Sequence, residues 1–361
     1  MNNFLKKVTI KIVVLQFICI SLFVSSAFSS QGLHNTRESY ILQLAGEIEF
    51  ILARNEKMNF LRISSICCDN ENNLYVADIG WCKIFKFNPQ GKFITSFGGA
   101  GQAPGNFLGD RRINSLKISF GKDNKIYVVD TSNSRLNVFT KEGVFIKHYI
   151  LPQFFYDTAA VNSSGDIYLL SRSGIKVVDC YDSNFKYKGF ILDLETSQEA
   201  KFIKLNLSRI RYLNDNEYIK FIDNNDNLVI FSNYSYRIFY FDQNNNFIRE
   251  CKIREYNLDD DLERRFDLIK SPIDRKDPQM LEKYILPFFA YLDRTNSICL
   301  VYQNSRGFSE IYRFTLKGEL LDVLKFPNFI DWRNICSDSK GKIFATKEKR
   351  TKIGVYKIKR R

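Results

Sequence analysis

"NNLYVADIGWCKIFKFNPQGKFITSFG", residues 72–98, holds three short apolar runs cut by two polar turns, and residues 124–150 repeat its plan. Apolar runs of five or six residues bounded by Asn, Gly, Asp and Pro read as antiparallel strands joined by tight turns. With Asp78 as a register origin, the same landmark falls at Asp130, Ser171, Ser232 and Lys347. Four residues before each origin stands an aliphatic residue: Leu74, Ile126, Ile167, Leu228 and Ile343. Five after it stands a cation (Lys83, Arg135, Lys176, Arg237, Lys352), and six after it another aliphatic residue (Ile84, Leu136, Val177, Ile238, Ile353). Nine after it come Phe87, Phe139, Cys180, Phe241 and Tyr356, and a looser sixth copy fits residues 296–326.

Turn-rich stretches such as "DNENN", "GKDNK" and "NSSGD" precede the first marked strand of each copy, and most copies carry a second turn such as "NPQGK" or "TKEGV". Each unit is therefore a four-stranded meander, with strands A to D in order. One such sheet cannot bury two apolar faces, whereas six packed radially can. The expected fold is all-β: a six-bladed β-propeller of four-stranded antiparallel blades, forming a single domain over residues 30–361. Its blades are placed near 60–98, 113–151, 156–192, 216–253, 286–326 and 331–361. Eleven residues before the origin stand Cys67, Ser119, Ala160, Phe221 and Cys336, four of them small, as strands crowded near the axis require. The last copy runs out before its fourth strand, and "YILQLAGEIEFILA", residues 40–53, is strand-like. That segment is expected to supply the missing outer strand, because an open edge would leave backbone groups unpaired.

The stretches "DTSNSRLNVFTKEGVFIKHY" and "DIGWCKIFKFNPQGKFITSFGGAGQAPGNF" resemble NHL repeats, in which an Asp, a turn Asn and an Arg precede an aliphatic and Phe strand and a Gly turn. The matching positions are Asp130, Asn133, Arg135, Phe139 and Gly143, which become Asp78, Trp81, Lys83, Phe87 and Gly91 in the first copy. The match is good over 60–150 and weaker beyond. The whole chain also resembles the exported six-bladed propeller proteins of Bacteroides-like bacteria.

Lys6, Lys7 and Lys11 precede an apolar stretch from Ile12 to Val24 and a small, polar "SSAFSSQ", the pattern of a secretory signal peptide over residues 1–29. Cys19 sits mid-stretch behind bulky Ile18, a poor setting for lipid attachment. Beyond the leader nothing approaches the ~18 apolar residues of a spanning helix, so the expected location is the periplasm or cell surface. The formal net charge is +13, and removing the three leader lysines leaves +10. A basic exported protein favours anionic partners such as acidic glycans, and export argues against nucleic acid. Seven cysteines follow the leader at irregular spacing, which is no disulfide framework, and no CxxC pair with matching histidines suggests zinc.

The connectors between strand D and the next strand A are long at 98–112, 193–215 and 254–285, so elaboration falls on one face, where binding loops belong. The third connector predicts a short helical insertion between blades four and five: Leu258, Leu262, Phe266 and Ile269 share a stripe, and Asp277 and Pro278 read as a helix start. On the same face the cations Lys83, Arg135, Lys176 and Arg237, with Arg111 and Arg112 of the Gly-rich connector, are the candidate ligand-binding residues. Lys83 and Arg135 have Asp78 and Asp130 in their own turns, whereas Lys176 and Arg237 face serines and are expected to be open to ligand. The connector "GGAGQAPGNF" opens no helix, so it lacks phosphate-loop geometry. With two histidines in all, a Ser-His-Asp triad is not expected. The reading is a non-enzymatic exported binding or assembly module with no cofactor and no metal, taking a protein or anionic glycan partner. The alternative is a metal-dependent lactonase or lyase with its site at the axial mouth, built from carboxylates and Asn.

Overall fold

The computed structural model describes residues 39–48, 50–51, 57–109, 116–152, 156, 158–170, 176–193, 218–232, 237–253, 289–293, 295–303, 309–327, 331–347 and 350–358. A compact unit runs over Ser39–Arg254 and Ile285–Arg361. The chain enters it through β1 (Ser39–Glu47) and a small hairpin, β2 (Phe50–Ile51) with β3 (Lys57–Met58). Blade one is β4 (Ile63–Cys68), β5 (Leu74–Asp78), β6 (Lys83–Phe87) and β7 (Phe93–Gly98). Blade two is β8 (Leu116–Phe120), β9 (Lys125–Asp130), β10 (Arg135–Thr140) and β11 (Phe145–Ile150), and blade three is β12 (Ala159–Val161), β13 (Ile167–Leu170), β14 (Lys176–Tyr181) and β15 (Tyr187–Asp193). Blade four is β16 (Tyr218–Ile222), β17 (Leu228–Ser232), β18 (Arg237–Phe241) and β19 (Phe247–Lys252), and blade five is β20 (Phe289–Leu292), β21 (Ile298–Gln303), β22 (Ser309–Phe314) and β23 (Leu320–Lys325). Blade six has β24 (Asp331–Ser337), β25 (Ile343–Lys347) and β26 (Lys352–Ile358), with β1 beside β26 as its fourth strand.

The fold is thus a six-bladed propeller of four-stranded antiparallel blades. Each A strand touches the next around the axis, from β4 through β8, β12, β16 and β20 to β24, and β24 returns to β4. Strands B and C lie inside each sheet and between neighbouring blades, so both of their faces are covered. This is why β5 and β9 read as almost unbroken apolar runs rather than alternating ones. The four-before landmarks Leu74, Ile126, Ile167, Leu228 and Ile343 are all buried, as are the nine-after landmarks Phe87, Phe139, Cys180, Phe241 and Tyr356.

The A–B and C–D turns share one five-residue design. The first and fifth residues exchange a backbone hydrogen bond, and the fourth donates its N–H back to the first. The fourth residue has positive φ: Asn72, Asn124, Gly165, Asp226, Asn296 and Gly341 in the A–B turns, and Gly91, Gly143, Phe185, Asn245 and Gly318 in the C–D turns. Asn, Asp and Gly tolerate that conformation, which explains the sequence punctuation. The side chain of the first residue caps the turn: Asp69 Oδ1 accepts the N–H groups of Glu71 (2.9 Å) and Asn73 (2.8 Å), and Asp182, Asp223, Asp242, Asp293 and Asp338 repeat this with their own third and fifth residues.

The same turns bind blade to blade. The carbonyl of the second C–D turn residue accepts from the preceding blade: Pro89 from Lys342 Nζ (2.9 Å), Lys141 from the Tyr75 hydroxyl (2.8 Å) and Lys86 Nζ (2.8 Å), Ser183 from the Tyr149 hydroxyl (2.8 Å), and Leu316 from the Tyr240 hydroxyl. In the A–B turns the fourth side chain accepts from the preceding blade's second residue. Asn72 takes Ser339 (2.8 Å), Asn124 takes Asn70 (3.0 Å), and Asp226 takes the Ser163 N–H (3.0 Å).

At its other end β1 also runs parallel to β23 over Ser39–Ile41, so it joins the outer strands of blades five and six. The expected leader, the connector 194–217 and the helical insertion over 254–285 lie outside the described residues. Among those described, the one helical element is the 3-10 turn Thr131–Asn133, and no helix is long and apolar enough to cross a membrane.

Candidate binding pocket

The repeated cations occupy equivalent places. Lys83, Arg135, Lys176 and Arg237 each begin a C strand, and Asp78, Asp130 and Ser232 stand directly opposite Lys83, Arg135 and Arg237. Strand C is third from the axis, so these cations do not meet at the axial mouth. Their partners also differ from expectation. The Asp78 carboxylate is buried and accepts backbone N–H groups from Leu61 (2.7 Å), Arg62 (3.1 Å), Gly80 (2.7 Å) and Trp81 (3.2 Å). Asp130 accepts from Leu108 N–H (3.0 Å) and Asn133 Nδ2 (2.8 Å). Burial raises its carboxyl above the ordinary range, against the lowering pull of those donors and of Arg135.

Arg135 donates to the carbonyl of Gln102, which ties the Gly-rich connector onto blade two, while Phe107 of that connector is fully buried beside Phe139. Arg237, expected to be open, pairs with Glu250 on the neighbouring strand β19 at 2.6 Å. The side chain of Lys176, and both Arg111 and Arg112, lie outside the described residues.

A cavity of about 430 Å³ opens on the opposite face, between the turns of blades two and three. It is lined by Lys122, Asp123, Asn124 and Lys125 of one A–B turn and Ser163, Ser164 and Gly165 of the next, with Tyr127, Lys147, Tyr149 and Ser183 as its walls. Two glycines make it. Gly165 stands where Asn72, Asn124 and Asp226 each reach toward the preceding blade, and, like Gly341 in blade six, with φ +86° it keeps the turn conformation while leaving that reach empty. Gly121 replaces the capping Asx of the other A–B turns. A Cβ there would lie 2.4 Å from Asp123 Oδ1, so only glycine lets the Asp123 carboxylate fold in from two residues downstream.

That carboxylate is nearly enclosed, with its side chain 7% exposed. Its Oδ2 accepts from Lys125 Nζ (2.7 Å) and the Tyr127 hydroxyl (2.8 Å), while Oδ1 has no hydrogen-bond partner among the described residues. Burial, then the Asp123 charge, pushes the Tyr127 phenol up, so it stays a neutral donor. Opposite, Lys147 Nζ sits 4.7 Å from the Tyr149 ring centre and 3.3 Å from the Ser183 carbonyl. Tyr149 stacks on Phe185 (4.5 Å, 16°), which stacks on Tyr181 (4.2 Å, 7°). This stack holds Phe185 at φ +65°, a conformation a bulky residue adopts only under support. The lining thus counts three lysines and one aspartate, three serines, an amide and two phenols; of the lysines, Lys125 pairs with Asp123 and Lys122 Nζ donates to Asn224 Oδ1 at 3.3 Å. Such a lining suits an anion rich in hydroxyl groups, bound by charge-assisted hydrogen bonds.

Sequence reasoning placed function on the other face and missed this pocket. The signal was present as "GKDNK" without a leading Asx and "NSSGD" with Gly in the fourth place.

A family model described as 6-bladed beta-propeller matches residues 33–271. No curated protein matches the sequence. Among solved structures, a member of the duf4221 family from Bacteroides vulgatus is similar at 12% identity and TM-score 0.55, over 89% of this chain and 98% of that one. A Bacteroides fragilis protein provisionally named as exported is similar at 11% identity and TM-score 0.52, over 89% and 99%. Virginiamycin B lyase from Staphylococcus aureus is similar at 12% identity and TM-score 0.48, over 88% and 99%.

Proposed function

The chain belongs to the DUF5128 family of 6-bladed beta-propellers, and from that premise we propose that it is a non-enzymatic exported binding module whose pocket between blades two and three takes an anionic glycan. The observation that carries this reading is the cavity of about 430 Å³ whose lining includes three lysines, Lys122, Lys125 and Lys147, and a single carboxylate, Asp123. The leader-like amino terminus supports export, in line with the name of the Bacteroides fragilis relative. The NHL-like first two blades fit a scaffold that binds rather than reacts. On the face with the long connectors, Arg135 and Arg237 hold the Gln102 carbonyl and Glu250 and enclose no comparable cavity among the described residues. The rival is a metal-dependent lactonase or lyase with carboxylates and Asn at the axial mouth, and bound calcium in elemental analysis of the purified protein would favour it.

The test is calorimetric titration of the protein with a uronic-acid oligosaccharide and with its neutral counterpart. Binding should be confined to the acidic sugar and should weaken with added salt. Replacing Lys147 by alanine removes one charge-assisted hydrogen bond and should cost about 10- to 100-fold in affinity. Gly165→Asn installs the residue type that Asn72, Asn124 and Asn296 supply at this positive φ. Its Cβ would sit 3.2 Å from Ser183 Cβ, so a small drop in the unfolding midpoint is expected, while the side chain closes the pocket and abolishes binding. Wild-type affinity in both variants would discard the pocket.

A further inference from the structure

Cys68 of β4 and Cys336 of β24 bring their sulfurs to 3.6 Å across 268 residues of chain, at the seam where blade six meets blade one. We propose that this pair is an oxidisable staple, a disulfide that locks the inner edge of the propeller after the two ends of the ring have met. The two strands are innermost neighbours, and Asn334 Nδ2 on β24 also donates to the Ile63 carbonyl on β4 at 3.4 Å. Both sulfurs belong to one apolar layer, with Ile63, Ile66, Leu74, Phe87 and Phe344 around them.

Cys67 does not compete. Successive side chains of a strand point to opposite faces, and Cys67 packs into the separate layer between blades one and two, with Tyr75, Ile118 and Val128. Joining the pair needs the sulfurs to close from 3.6 Å to the ~2.05 Å of a disulfide.

The oxidant is a disulfide of the class that drives oxidative folding, a protein dithiol–disulfide or oxidised glutathione. Cys336 is the more exposed of the two. Its thiolate attacks one oxidant sulfur, breaking the oxidant's S–S bond and forming a mixed disulfide. The other oxidant sulfur leaves in that step as a thiol; the Cys68 thiolate then attacks Cys336 Sγ, breaking the mixed disulfide, forming the Cys68–Cys336 bond and releasing the attacked oxidant sulfur as the second thiol. Two cysteine thiols lose two protons and two electrons, and the oxidant gains both. A staple here complements β1, which completes blade six at its outer edge by pairing with β26 and burying Leu42.

The experiment is a thiol count on the full chain exported from its host and purified without reductant, repeated on folded protein incubated with oxidised glutathione. Alkylation in denaturant should block five of the seven cysteines beyond residue 29, and all seven after reduction. Proteolysis should yield a peptide containing Cys68 joined to one containing Cys336. Reduction should lower the melting temperature by about 5–10 °C, since the closed loop is long. Cys336→Ser should remove that reductant dependence, and Cys82→Ser should keep it. Seven alkylated cysteines without reduction under both conditions would overturn the proposal, as would a linkage made through Cys67. The count on the unaltered protein decides the matter even where Cys336→Ser does not fold.

Discussion

Deleting residues through Glu47 should unfold the ring rather than trim it. Leu42 of β1 is fully buried among Tyr291, Ile311, Leu324, Phe326, Ile343 and Tyr356, so one strand seals the layer shared by blades five and six. Its backbone pairs with β26 from Leu42 to Glu47 and with β23 from Ser39 to Ile41, and the Ile48 N–H continues the ladder to the Ile353 carbonyl at 3.0 Å. Without it two strand edges face water with their hydrogen-bonding groups open, which invites pairing with other molecules. Leu42→Ala alone should cost about 2–5 kcal/mol. The deletion should exceed that and approach the ~5–15 kcal/mol of net stability that a folded domain holds. The Lys347 ion pair to Glu47 (2.6 Å), whose hydrogen bond lowers the Glu47 carboxyl pKa, would vanish too, a smaller loss because Glu47 is partly exposed. Urea unfolding followed by tryptophan fluorescence, with size-exclusion chromatography, reads the result. The expected outcome is a lost or strongly shifted transition with oligomers, partly rescued by adding a peptide of residues 39–48. A deletion variant that melts with the full chain would show that the ring does not depend on this strand.

The repeated positions were legible because they report one physical demand, burial between two blades, that recurs in every copy. Leu74, Ile126, Ile167, Leu228 and Ile343 all meet that demand. The cations were legible as positions but not as interactions. Arg135 bonds a backbone carbonyl of a connector and Arg237 a glutamate on the next strand, and neither partner is part of the repeat. The pocket was hidden for a different reason. It comes from a side chain that is missing at Gly165, and from turns of two blades whose juxtaposition only the closed ring creates. The thiol pair shows the limit of register most sharply. Cys67 and Cys336 are equivalent in the repeat, yet equivalent residues point to the same side of successive blades. The neighbour of Cys336 is therefore the next residue, Cys68, on the opposite face of β4.

Asp78→Ala should be the most damaging single substitution on the face with the long connectors. Its carboxylate is fully enclosed and gathers four backbone N–H groups from two directions, Leu61 and Arg62 on the chain approaching β4 and Gly80 and Trp81 in the B–C turn. Asp130 does the same in blade two, holding Leu108 of the incoming connector and Asn133 of its own turn. The shared geometry of these two aspartates is a clasp between a turn and the segment that leads into the same blade. Alanine would leave the four donors without an acceptor, and each buried unsatisfied group costs about 1–3 kcal/mol. Because the turn can relax and admit water, the sum should come to about 3–5 kcal/mol rather than the full total. Asp78→Asn, which keeps one acceptor oxygen, should cost about half as much. Lys83→Ala is the discriminating control. If Asp78 served mainly as the counter-ion of the cation opposite it, both alanine variants would lose similar stability. The clasp requires Lys83→Ala to stay within about 1 kcal/mol of the unaltered protein, the range of an exposed charge. Denaturant midpoints for the three variants under one buffer separate the two cases, and equal losses at Asp78 and Lys83 would make the aspartate an ion-pair partner instead.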